Sequence, residues 1–86
     1  MLYKVYILEC ADKTLYTGIA VDFVKRLKEH NSSDTGAKYT RARRPVKIVY
    51  FQKMKNRSMA LKEEYRIKKL SRAEKLRMIK LAKITN

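Results

Sequence analysis

Two short stretches near the start of the chain are dense in Tyr, Val, Ile and Leu: Lys4-Val5-Tyr6-Ile7-Leu8, and then Leu15-Tyr16-Thr17-Gly18-Ile19. Such β-branched and aromatic runs predict strands over 2–9 and 14–19, joined by Glu9-Cys10-Ala11-Asp12-Lys13. With Tyr6 set opposite Tyr16 across a five-residue turn, strand alternation gathers Val5, Ile7, Leu15 and Ile19 on one face. The opposite face then receives Tyr6, Tyr16 and Gly18. A slip of one residue would split the aliphatic set, so the pairing that packs best is also the one that clusters the phenols. The plain alternative is that both tyrosines fill a second face covered by a helix.

The pattern then changes to helical spacing. Asp22 is placed as an N-cap for a helix over about 23–30, with Phe23 and Leu27 on its buried side. Asn31-Ser32-Ser33-Asp34-Thr35-Gly36 reads as a polar loop. Val46-Lys47-Ile48-Val49-Tyr50-Phe51 predicts a third strand, followed by a helix over about 58–70. Ser71-Arg72-Ala73-Glu74 matches a capping box and starts a last helix to about 83. The order is ββαβαα, an α/β (α+β) single domain over residues 1–86, with a small three-stranded mixed or antiparallel sheet flanked by helices.

Charge narrows the partner. With 22 Lys and Arg against 8 acidic residues, the formal net charge is +14, and residues 51–86 alone hold twelve basic residues and three Glu. A surplus of that size favours a polyanion, although a soluble basic protein with another role would carry it too. At 86 residues and 45% hydrophobic content, a packed core is affordable but small. The lone Cys10 excludes an internal disulfide and suits a small buried side chain at a strand end. One histidine rules out the usual Cys/His zinc cage. Without a visible signal peptide or membrane span, a cytoplasmic location is expected.

Periodicity brings further groups into play. Asp22, Arg26 and His30 recur every four residues and share one side of the first helix. Arg26 there can reach a phosphate, or simply pair with Asp22 or Glu29. His30 can contact a phosphate or move a proton, or be a solvated helix-end residue. On the second long helix, Ala60, Leu61, Ile67 and Leu70 mark the buried arc, and Glu64 falls inside it. A carboxylate in such a place needs a cation, either Lys/Arg or a metal ion such as Mg²⁺ that keeps most of its waters. Glu63 borders the same arc, and periodicity does not choose between the two. Lys38, Arg41, Arg43 and Arg44 could follow a nucleic-acid backbone with Tyr39 stacking on bases, or form a solvated charge run.

Taken in order, these segments resemble the GIY-YIG nuclease superfamily over about residues 2–80, most closely its small stand-alone bacterial (YhbQ-like) branch. Lys4-Val5-Tyr6 lies at the first motif and Tyr16-Thr17-Gly18 at the second. Arg26 and His30 match the first-helix positions, and Ala60 to Lys68 is similar to the helix of the metal-binding glutamate, which selects Glu64. Ser71 to Lys75 resembles a run found in that branch. Two positions depart from the pattern: Met78 stands where many members have Asn, and Ile19-Ala20 follows the second motif where many have a basic residue.

The resemblance implies a metal-dependent endonuclease acting on DNA in repair or recombination. Glu64 would hold Mg²⁺ or Mn²⁺, and Tyr16 would be general base, a role that needs nearby positive charge because a free phenol titrates near pH ~10. Tyr6 would orient that group, Arg26 would stabilise charge on phosphorus, and His30 would contact phosphate or assist proton movement. Gly18 would allow close approach of the substrate. A monomer is expected, its specificity coming from its own basic surface or from a protein partner. Two other classes fit the same composition: a non-catalytic nucleic-acid-binding domain on this scaffold, and a module docking on an acidic protein.

Overall fold

The computed structural model describes residues 2–32 and 38–85. Strand β1 (Tyr3–Glu9) is the centre of a three-stranded sheet, flanked by β2 (Leu15–Ala20) and β3 (Lys47–Met54) in the order β2-β1-β3. Both pairings are antiparallel. Between β2 and β3 come α1 (Phe23–Ser32) and a four-residue turn of helix, α2 (Lys38–Arg41); α3 (Arg57–Lys68) and α4 (Arg72–Thr85) end the chain. The expected ββαβαα order is present, with α2 as an addition that no sequence signal indicated. Within the stretch expected as a polar loop, Asn31 and Ser32 belong to α1, and residues 33–36 lie outside the described residues. Among the described residues no helix is long and apolar enough to cross a membrane.

Register corrects one expectation. Tyr6 pairs with Gly18 and Tyr16 with Leu8, so the strands are offset by two residues from a Tyr6–Tyr16 pairing. The turn does hold five residues, but they are 10–14, because Glu9 stays in the strand opposite Leu15. Cys10 is buried, and Lys13 turns the chain with φ 70, a left-handed conformation uncommon for a residue with a side chain. An offset of two preserves side-chain parity, so the two faces have the expected composition.

On one face Val5, Ile7, Ala60, Ile67, Met54 and Ile79 form an aliphatic core, with Leu15, Ile19 and Met78 against it. Helix α3 covers β1 and β2 there, while α4 covers β3. On the other face Tyr6, Leu8, Cys10 and Val46 are joined by Tyr16, Phe23, Leu27 and Ile48, the side that α1 covers. A bulge between Ile7 and Leu8 sets Tyr50 opposite Ile7 and Ile48 opposite Leu8, leaving Val49 without a β1 partner. Val49 and Tyr50 both pack toward the aliphatic core as a result.

Local chemistry sets the helix ends. Asp22 accepts from the Lys25 backbone N–H at 3.0 Å, as an N-cap should. Asn56 does the same for α3 through Met59 N at 2.9 Å. Ser71 and Glu74 cap each other's backbone at 3.0 and 3.2 Å, the reciprocal box expected from sequence. At the end of α1, Arg44 donates to the carbonyls of His30 and Glu29, bringing positive charge to the negative end of the helix. Asn31 ties the same end to the start of β3, giving to Val46 O at 3.0 Å and accepting from Val46 N at 2.7 Å.

Candidate active site

Tyr6 leaves the middle of β1 on the α1 face, over the backbone of Gly18 on the neighbouring strand. A Cβ at Gly18 would lie 2.6 Å from the Tyr6 hydroxyl oxygen, 2.8 Å from its Cζ and 3.2 Å from a Tyr16 ring carbon. A side chain at position 18 would make the Tyr6 ring shift, so glycine here leaves room for the two phenols.

The Tyr6 hydroxyl meets His30 Nε2 at 3.0 Å, and His30 Nδ1 meets Thr40 Oγ1 at 2.8 Å. All three side chains are buried, His30 and Thr40 completely. His30 is therefore no solvated helix-end residue; it is the middle of a polar chain running from α2 through α1 to β1. Burial, above all, and the positive charge of Arg26 push its pKa down to about 4, with Glu29 opposing and Arg44 adding. The imidazole is neutral at pH 7. Burial also pushes the Tyr6 phenol up to about 12, helped by neighbouring Tyr16 and Glu64 and opposed by Arg26, so Tyr6 keeps its proton.

Tyr16 stands beside this chain. Its ring packs edge-on to His30 with centroids 5.3 Å apart and stacks on Tyr39 at 5.9 Å. Among the described residues its hydroxyl has no hydrogen-bond partner, in contrast to that of Tyr6. Arg26 pairs with Glu29 at 3.1 Å, and its charge is near enough to Tyr6 to oppose the rise in the phenol's pKa. Of the two readings of Arg26, the ion pair with Glu29 is the one present.

Glu64 reaches the same neighbourhood from α3, close enough for its charge to raise the Tyr6 pKa. Ala60 and Ile67 on its helix are fully buried and Leu70 is half-buried, as the apolar arc requires. Leu61 is a correction: it is 37% exposed, on the rim of the helix rather than in its buried arc. The Glu64 side chain is 18% exposed and has Lys68 Nζ at 3.4 Å. Glu63 is engaged differently, gripped by Arg66 through two bonds of 2.7 and 2.8 Å, which hold its carboxyl below the usual range. Among the described residues no three His, Cys, Asp or Glu side chains gather as a metal cage. A single half-buried carboxylate fits instead a hard divalent ion that keeps several waters and takes phosphate oxygens as its other ligands.

The basic residues after the loop divide. Lys38 and Arg41 are exposed. Arg43 sits over the Tyr39 ring at 4.0 Å and donates to Tyr39 O at 2.9 Å. Its Nε also lies 3.2 Å from Asp12 Oδ2, an ion pair whose alignment is too poor for a hydrogen bond. Arg44 is committed to the end of α1. Only part of the expected basic run is therefore available to a ligand. Sequence reasoning offered Glu29 as a partner of Arg26, which the structure bears out, but it missed Thr40 and left Asn56, a cap residue directly before a helix, unread. Met78, at the departing position, packs against the aliphatic core.

Residues 2–77 match the family model of the GIY-YIG catalytic domain. A UPF0213 protein of Syntrophus aciditrophicus is 62% identical over 76 residues, covering 88% of this chain and 87% of that protein. Another, from Clostridium perfringens, is 53% identical over 75 residues, covering 87% and 80%. Among solved structures, the solution structure of a UPF0213 protein from Bacillus halodurans superposes with a TM-score of 0.61 at 42% identity, covering 94% of this chain and 85% of that one. A protein of E. faecalis, also solved in solution, gives a TM-score of 0.66 at 41% identity, covering 98% and 88%. The chain belongs to the GIY-YIG nuclease superfamily, among the UPF0213 proteins of its small YhbQ-like branch.

Proposed function

We propose that this protein is an endonuclease that hydrolyses phosphodiester bonds of DNA with the help of a divalent ion, Mg²⁺ or Mn²⁺, held by Glu64. The observation that carries the reading is the contrast between two adjacent phenols. Tyr6 is held by His30 and keeps its proton, whereas the Tyr16 hydroxyl is engaged by no described residue. A group that must take a proton from an attacking water has to be unencumbered, and Tyr16 meets that condition.

In this reading Tyr16 acts as the phenolate, its own proton given up to solvent. It accepts the proton of the water as the new O–P bond forms and the P–O bond to the leaving sugar oxygen breaks, that oxygen taking a proton from solvent. Arg26, fixed by Glu29, presents guanidinium donors to the phosphate oxygens that gain charge. Tyr6 and His30 hold the neighbouring rings in place, and Gly18 supplies the room for both phenols. The ion on Glu64 would supply charge stabilisation at the phosphate and the departing oxygen. Its arrival would displace Lys68, an exposed partner that is easily released. Lys38 and Arg41, both exposed, would follow the nucleic-acid backbone, and Tyr39 beside Tyr16 would support a base. Repair or recombination, a cytoplasmic setting, a monomeric state and a partner that adds specificity complete the proposal.

The test is cleavage of labelled single-stranded, duplex and branched DNA with Mg²⁺, Mn²⁺ or EDTA, run beside Glu64→Ala. Cleavage that needs metal and disappears in the variant supports the reading. Salt-sensitive binding of DNA without cleavage in any metal would replace it with a non-catalytic binding domain.

A further inference from the structure

The short helix α2 meets the site twice. Tyr39 stacks on Tyr16, and the next residue, Thr40, bonds the far side of His30. The proton inventory along the buried chain then determines more than position. Tyr6 is only 2% exposed, so its hydroxyl proton needs an acceptor inside the protein. Tyr6 retains its own proton, and the buried acceptor within reach is His30 Nε2 at 3.0 Å. A neutral imidazole that accepts at Nε2 carries its hydrogen on Nδ1, and the oxygen facing Nδ1 is Thr40 Oγ1 at 2.8 Å.

We infer that Thr40 is a positioning residue: its hydroxyl oxygen accepts the Nδ1 hydrogen of His30 and so holds the ring in the tautomer whose Nε2 receives the Tyr6 proton. The direction of the whole chain follows, Tyr6 O–H to His30 Nε2 and His30 Nδ1–H to Thr40 Oγ1. Tyr6 is thereby turned away from donating into the site, and its oxygen stays available to Arg26. The consequence for catalysis rests on the nuclease reading above, but the tautomer does not.

His30 is the only histidine in the chain, so long-range ¹H–¹⁵N spectra of uniformly labelled protein at neutral pH report its two ring nitrogens without ambiguity. The expected result is a pyrrole-type Nδ1 and a pyridine-type Nε2 in the wild type and in Thr40→Ser. In Thr40→Val the Nδ1–H loses its acceptor, and the population should move toward the Nε2–H form. A wild-type Nε2–H tautomer would overturn the inference, as would an unchanged tautomer in Thr40→Val. If Thr40→Val does not fold, the wild-type and Thr40→Ser spectra still decide. On a DNA substrate, Thr40→Val should lower kcat by about tenfold or more with little change in KM, and Thr40→Ser should restore it. The expected tautomer in a protein that cleaves nothing would sink the nuclease reading and leave the inference standing; cleavage with the other tautomer would do the reverse.

Discussion

The two faces of the central sheet are buried to a similar depth but held by opposite means. On the α3–α4 side Val5, Ile7, Ala60 and Ile67 are shielded by one another, with the hydroxyl of Thr17, opposite Ile7, as the buried polar group beside them. On the α1–α2 side Tyr6, His30 and Thr40 are just as inaccessible, yet each is polar and joined to the next by a hydrogen bond. An apolar face stabilises through area removed from water. A polar chain at the same depth contributes little net stability and is costly once a partner is lost. A protein of this size would gain more from a second aliphatic face. The polar one agrees with the proposed catalytic role, carried on a scaffold that the first face holds together.

That comparison can be broken from either side. The largest effect on stability should come from Ile67→Ala, which empties a fully buried position and should cost about 2–5 kcal/mol in chemical denaturation. The surviving folded fraction should keep its intrinsic activity. Next comes pH. His30 titrates near 6.5 when unfolded and about 4 when folded, so the unfolded state binds the extra proton first as pH falls. Its stabilising contribution is complete above pH 6.5 and is lost as pH drops toward 4, on the order of 2–3 kcal/mol. Denaturation midpoints of wild type and His30→Gln across that window should converge in acid; parallel curves would contradict the buried neutral imidazole.

Gly18→Ala should cost about 1–3 kcal/mol by pressing on Tyr6, and the Tyr6–His30 bond should be lost with it. A variant as stable as wild type would mean the phenols are packed less tightly than the distances imply. The smallest effect belongs to the surface. Arg41→Ala should leave stability unchanged and reduce the salt slope of DNA binding by about one.

Much of this was legible because it is local. Strand residues announce themselves by branching and aromaticity, and Asp22 and the Ser71–Glu74 box are cap chemistry within four residues. Parity gave the composition of both faces even though the register was off by two, since an even slip leaves every side chain on its own side. The turn itself was misplaced by one residue because Cys10 is drawn into the core, a tertiary effect. Glu64 stood out as a charge in an apolar arc, but Leu61 did not reveal its exposure, because the edge of an arc is set by the neighbouring element. Thr40 left no signal. Its importance depends on α2 folding back onto α1, ten residues from His30, and a lone threonine in a basic stretch does not disclose that contact.

The most direct measurement pairs Tyr16→Phe with Ile67→Val and reads both cleavage and unfolding. Tyr16→Phe removes a hydroxyl that no described residue binds, so stability should stay within about 0.5 kcal/mol of wild type while metal-dependent cleavage is abolished. Ile67→Val should cost about 0.5–1.5 kcal/mol and leave kcat of the folded protein intact. Full cleavage by Tyr16→Phe would contradict the account, because the unencumbered phenol on the polar face would then take no part in the chemistry.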